Sequence, residues 1–205
     1  MFKPASFFIS AALLFTSFTV SGLEDKSGPF TYVGVKVCNE CHGEDAIGNQ
    51  SKIWSLSPHA KAYTLLVGEK AASIAKKVKI TSPEKNYECL KCHATGKGTV
   101  KSVIREGVGC EACHGPGSEY HTASNHVDYS SRENGYRRAL KSGMYPVLGI
   151  YSLKTREKMC LSCHKNSRPC FPEGQVRIFE FAIPIQTVDS LKKGDINFRH
   201  PLLRR

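Results

Sequence analysis

The sequence predicts a mainly α fold with extensive irregular loops, built as a single domain. Three observations lead there. Only 9% of the 205 residues are aromatic and one is Trp, a thin supply for a protein core of this length. Short stretches of helical character alternate with segments broken by the 17 Gly and 10 Pro. Eight of the nine Cys recur in one tight spacing, which ties the chain to something other than itself. The length allows one domain or at most two small ones.

Taken in order, residues 1–22 read as a secretory signal peptide. Lys3 supplies a short positive start, Ala11 to Val20 are mostly apolar, and Val20-Ser21-Gly22 offers small residues at a cleavage point. The apolar run is short for a bilayer span, and no later stretch suits one, so the expected product is an exported protein without stable membrane insertion. Residues 23–205 form the domain. Within it, Ile47 to Trp54 and His59 to Val67 read as short helices, the second opened by Pro58. Glu69 to Lys77, rich in Ala and Lys, reads as another. Ala94 to Gly98 makes a loop, and Gly115-Pro116-Gly117 a sharp turn. Arg137 to Ser142 gives one helical turn, Ser152 to Cys160 a helix, and Phe179 to Pro184 a short extended piece.

The four motifs are Cys38-Asn-Glu-Cys41-His42, Cys89-Leu-Lys-Cys92-His93, Cys110-Glu-Ala-Cys113-His114 and Cys160-Leu-Ser-Cys163-His164. Each is the attachment pattern for a c-type haem. Two thiols add across the two vinyl groups of one porphyrin, and the next residue sits under the iron as proximal ligand. Zinc ribbons and redox dithiols also use paired Cys. They do not require His directly after every pair, and an odd number of Cys does not suit a disulfide framework. The expected cofactors are therefore four haem c, covalently held by Cys38, Cys41, Cys89, Cys92, Cys110, Cys113, Cys160 and Cys163. His42, His93, His114 and His164 are the proximal ligands. Four large apolar discs explain the thin core, since the chain wraps around them and needs little regular structure. Cys170, the ninth thiol, lies outside any such motif, because neither Ser167 nor Glu173 completes a pair.

Charge fits the same reading. The chain carries 29 basic and 18 acidic residues, and loss of Lys3 leaves 28 against 18, a net +10. A ferric c haem with two propionates adds about −1 and a ferrous one about −2, so four bring the protein to about +6 oxidised and about +2 reduced. The basic excess is largely counter-charge for propionates, which removes the case for nucleic acid. What remains suits an acidic redox partner.

Four other histidines are candidates for the distal positions: His59, His121 and His200, with His126 as an alternative. A distal His gives a low-spin haem that changes oxidation state with little geometric change. Pro201 holds His200 extended. His121 follows the Gly115-Pro-Gly turn closely. Met144 remains a further option.

Tyr32-Val-Gly34, Trp54 with Ser57-Pro-His-Ala60, the run Gly107-Val-Gly-Cys-Glu-Ala-Cys-His-Gly-Pro-Gly117, and Phe198-Arg-His-Pro201 together make the chain resemble the cytochrome c-554 family of periplasmic tetrahaem proteins. The resemblance spans nearly all of residues 23–205. It implies periplasmic electron transfer, as in the member that accepts electrons from hydroxylamine oxidoreductase. It further implies His59 as ligand of the haem on His114, His200 of that on His164, and a loop histidine, His121 or His126, of that on His42. The haem on His93 would have no protein sixth ligand. An electron carrier, with a multihaem oxidoreductase or a quinone-linked cytochrome as donor or acceptor, is the function expected. Its rival is an enzyme reducing nitric oxide or another nitrogen oxide at the open haem on His93, with Tyr120 and His126 as proton donors and Phe171 and Pro172 as an apolar wall. No acid–base set stands out for that chemistry, and no output segment for a haem-based sensor.

Overall fold

The computed structural model describes residues 28–147 and 153–164. Among them are eight α-helices and no strand: α1 Val35–His42, α2 Gln50–Ser55, α3 Glu69–Lys77, α4 Tyr87–His93, α5 Cys110–His114, α6 Ala123–His126, α7 Arg132–Lys141 and α8 Leu153–Cys163. Single turns of 3₁₀-helix lie between several of them. The signal segment 1–22, Cys170, Phe171, Pro172, the extended piece 179–184, His200 and Pro201 lie outside the described residues.

The mainly α expectation holds, with helices of modest length. Glu69–Lys77 is helical over its predicted span, with Glu69 in the first turn and Lys76 and Lys77 in the last, the arrangement that complements the helix dipole. Ile47 to Trp54 is not one helix. Gly48 turns left-handed at φ 99°, Asn49 follows it, and the Asn49 side chain accepts from Lys52 N at 3.2 Å to start α2 afresh. His59 to Val67 is a series of turns ending in the 3₁₀ turn Thr64–Val67. At the other end the helices are longer than expected. Ser131 caps α7 through Asn134 N, so α7 starts five residues before Arg137. α8 continues past Cys160 through the fourth motif.

The core is small. Leu66, Cys89, Leu90 and Ala94 pack together, flanked by Tyr63, Ile80 and Ile104. The largest fully buried side chains are Glu111, Val103, Thr95 and Pro116. A carboxylate and a hydroxyl thus sit where larger domains place aromatic rings. Burying an aliphatic side chain contributes about 1.5–3 kcal/mol, so this cluster supplies little of what ordering the chain costs. Meanwhile Leu56, Leu65 and Val67 stay exposed at 73%, 60% and 66%.

Candidate haem-binding site

Each motif lies on a helix. In such a helix a Cys pair spaced i, i+3 and the His at i+4 share one face. α1 carries Cys38 to His42, α4 Cys89 to His93 and α5 Cys110 to His114. α8 carries Cys160 and Cys163, with His164 N bonding Cys160 O at 2.7 Å to continue the turn. Asn86 starts α4 by accepting from Glu88 N at 2.9 Å. No disulfide joins the eight motif cysteines. Among the described residues no group of three or more His, Cys, Asp and Glu gathers to hold a bare metal ion.

A buried carboxylate locks the first and third motifs together. Glu111, inside the third motif and 2% exposed, accepts from Val33 N (3.0 Å), Gly34 N (2.8 Å) and Gly117 N (2.7 Å). Glu106 accepts from Val35 N through both oxygens at 3.1 Å. Burial raises the Glu106 carboxyl, the Val35 bond opposes that, and Glu111 adds to it. Together they fix the chain entering α1 against α5. As a result the Cys38 and Cys110 thiols come close enough to act on each other's acidity, Cys38 being raised and Cys110 lowered. The second and fourth motifs also meet, with Cys163 Sγ 3.8 Å from Lys91 O. Cys113 lies close enough to Cys160 and Cys163 to feel their charge.

His59 is held by its backbone. Its carbonyl accepts from Val108 N at 3.0 Å, while Trp54 Nε1 donates to Val108 O at 2.8 Å. Gly107 is required for this approach. Its φ is +74°, and a Cβ there would stand 2.6 Å from His59 O. Thr95 backs the same strip, donating from N and Oγ1 to Gly107 O and accepting from Gly109 N. The His59 ring lies 5.8 Å from that of His164, nearly perpendicular at 86°. The pairing implied by resemblance set His59 on the third haem, whereas here its ring stands edge-on to that of the fourth motif's histidine. Burial lowers the basicity of the His59 imidazole, which favours the neutral, ligating form.

The two loop histidines separate clearly. His121 is exposed, and its Nδ1 donates to Gly117 O at 3.0 Å. His126 ends α6, with Nδ1 on Thr122 O at 3.0 Å, and its ring centroid is 6.3 Å from that of His42 at 33°. α7 holds it there. Arg138 donates to Ser124 O (3.0 Å), Val127 O (2.6 Å) and Asp128 Oδ2 (3.1 Å). Asp128 also accepts from Ser130 Oγ, Ser130 N and Ser131 N, and these bonds pull its carboxyl down to about 2. Gly135 lets α7 come this close, since a Cβ there would meet His126 O at 2.7 Å.

An imidazole nitrogen bound to a metal lies about 2 Å from it and about 1 Å from its own ring centre, so two rings gripping one iron from opposite sides are roughly 6 Å apart. The His42–His126 spacing meets that requirement and His59–His164 comes near it. Nδ1 is committed elsewhere at the proximal ligands too. His42 Nδ1 faces Gln50 Oε1 at 3.3 Å, the amide being oriented by its own bond from Nε2 to Ile47 O at 2.6 Å. His93 Nδ1 donates to Ala62 O at 2.7 Å. Both rings therefore present Nε2 to an iron. The residues present fit covalent haem.

A family profile described as cytochrome c554 and c-prime matches residues 37–115, which hold the first three motifs and His59. Over that stretch, somewhat more than a third of the chain, the protein is similar to the cytochrome c554 family. Cytochrome c-554 of Nitrosomonas europaea is 27% identical over 169 residues, covering 77% of this chain and 66% of that protein. The chain thus spans just under two thirds of the relative's length. No solved structure matches the chain. The matched stretch includes three of the four Cys-x-x-Cys-His motifs, the pattern by which c-type cytochromes hold haem covalently.

Sequence reasoning named the motif residues and the four spare histidines. It missed Glu111, Glu106, Thr95, Gln50 and the Arg138 clamp. Glu111 and Glu106 lie in or beside the Gly107–Gly117 run that carries the resemblance, but the partners that tie them to Val33, Gly34 and Val35 are 71 to 78 residues away and leave no local signal. Tyr120, considered as a proton donor, is buried with its hydroxyl on Gly115 O at 2.7 Å, and burial raises it far above the ordinary phenol range.

Proposed function

We propose that the chain is a periplasmic electron carrier holding four haem c, one on each motif, in a single domain over residues 23–205 released from a signal peptide at 1–22. The observation that carries this reading is the His126 ring standing 6.3 Å from that of His42, the spacing of two imidazoles on one iron. When bound, haem c supplies a one-electron iron couple. The chain's part is to hold each iron between fixed imidazoles, so that little moves when the charge changes. We assign His126 to the first iron, ahead of His121, and the ring spacing supports His59 at the fourth. His200 remains a proposed ligand.

The contacts between motifs support a route. Cys38 against Cys110, Cys113 near Cys160 and Cys163, and Cys163 against Lys91 set the motifs in the spatial order first, third, fourth, second. Thioether edges in that order bring the cofactors into sequence for transfer along the molecule. Acidic redox proteins are the expected donor and acceptor, given the positive charge of about +6 oxidised and about +2 reduced that remains once four haems are counted. Among the described residues no helix is long and apolar enough to cross a membrane.

Intact mass of the exported protein tests the haem count, with an excess over the mature polypeptide of four haems expected. Replacing Cys89 and Cys92 together should remove one, and retention of all four would overturn the motif reading. The second reading, reduction of nitric oxide or another nitrogen oxide at the haem on His93, is favoured by one observation. Among the described ring contacts, histidines face His42 and His164 but not His93. A high-spin ferric signal with nitric oxide turnover under an electron donor would establish it, and four low-spin signals would reject it.

A further inference from the structure

Arg156 lies on α8, one turn before Cys160. Its Nε and Nη2 are closed off from solvent and meet no acceptor among the described residues. Arginine keeps its charge under all ordinary conditions. Arg156 as a whole is half-buried, but its Nε/Nη2 edge is withdrawn from water, and charged donors left without an acceptor cost free energy, so this edge is complete only with an acid in place. The two orphaned donors define what that acid looks like. Nε–H and Nη2–H lie on one edge of the guanidinium and point the same way, the fork that grips both oxygens of a carboxylate. The helix itself offers no such group. Its acid, Glu157, is exposed, and Arg156 stands on the face of Cys160 at i+4, where its charge reaches that thiol. That face is the one on which the fourth motif carries its haem-attachment thiol Cys160.

We infer that Arg156 is a carboxylate-binding residue that clamps a haem propionate through its Nε/Nη2 edge. The inference rests on the haem reading above. Arg156 thereby does two things. It neutralises a charge that burial would otherwise penalise, and it sets one haem apart from the others by a fixed cation. A cation beside a propionate disfavours the more positive ferric state, so it holds that haem's reduction potential up. It also keeps the propionate ionised, so that potential stays flat with pH.

The test compares wild type, Arg156→Gln and Arg156→Lys as full-length holoproteins. Intact mass of the wild type, showing four haems, reports the haem reading separately. In Arg156→Gln one of the four potentials should fall and acquire a pH dependence, and the propionate bending mode of one haem in the resonance Raman spectrum should shift. Arg156→Lys should restore most of the potential, because the charge remains, while the Raman mode stays shifted, because the fork is gone. A folded four-haem Arg156→Gln with unchanged potentials and Raman modes overturns the inference. So does a moved potential with unmoved propionate modes, which would mean that a protein acid is the partner. If Arg156→Gln does not accumulate, the Raman spectrum of Arg156→Lys decides alone, and an unshifted mode there is the overturning result.

Discussion

With His126 on the first iron as proposed, removing the Arg138 guanidinium should loosen that ligand while touching neither the ring nor the iron. Arg138 makes three hydrogen bonds, to Ser124 O, Val127 O and Asp128 Oδ2, and they bracket His126 on both sides. Hydrogen bonds to a charged group contribute about 1.5–3 kcal/mol each when sheltered. The Arg138 side chain is 42% exposed, so water competes and a total of about 2 kcal/mol is the reasonable figure. That corresponds to roughly a 30-fold rise in the fraction of molecules with the segment detached. Carbon monoxide binds a ferrous haem only when the sixth position opens, so its apparent affinity for one haem of Arg138→Ala should rise by about the same factor. Arg137→Ala is the control. Its bond to Glu133 lies along an exposed face of the same helix and should leave binding unchanged. Equal effects in both variants would mean general fraying of α7. No effect in Arg138→Ala, with His126→Ala opening a site, would refute the clamp.

Glu111→Ala should lower holoprotein stability by about 3–5 kcal/mol, because three buried amides lose their acceptor, and Glu111→Gln by less; denaturant midpoints measure both. Asp128 contributes stability that is fully present above its ordinary value of 3.8 and is lost as pH falls through about 2. The stability gap between wild type and Asp128→Asn should therefore be constant from pH 7 to 5 and close between pH 4 and 2 in denaturant titrations. Gln50→Leu should raise the reduction potential of one haem and Gln50→Glu lower it, since an acceptor on Nδ1 makes His42 a stronger ligand to ferric iron; four unmoved potentials would show that Gln50 does not act on it.

The fold class was legible because motif count and aromatic poverty both argue for a chain organised around cofactors, and neither depends on long-range contacts. The α3 helix was legible because Glu69 to Lys77 has good helix formers and correct end charges. The turns from His59 to Val67 were misread as helix. Their shape comes from Val108 and Gly107, almost fifty residues on, pinning the His59 carbonyl. Which of His121 and His126 stands beside His42 had the same cause. Both lie in the loop after Gly117, and reach along the chain favours the nearer. What separates them is Arg138 and Gly135 on a helix that comes later in sequence, and those bonds have no local signature.

The contacts that pin the site are largely polar, and this follows from what the chain must leave room for. A porphyrin takes the apolar faces that a conventional core would join to each other, so side chains such as Leu56, Leu65 and Val67 are not available to fix one motif against the next. The remaining means are directional bonds to backbone. Glu111 ties α5 to the residues before α1, Thr95 ties the turn after α4 to those before α5, and Arg138 ties α7 to α6. Each bridges two segments that carry, adjoin or face a ligand histidine. Directional bonds set position within a few tenths of an ångström but contribute only about 1 kcal/mol net apiece. They can position the histidines and still be too weak to order the chain. On the proposed tetrahaem reading the chain depends on bound haem for its folding free energy, while its own polar contacts decide which imidazole meets which iron. Apo-protein made without haem insertion should then lack a cooperative melt by calorimetry, and a sharp transition in haem-free protein would contradict this division of roles.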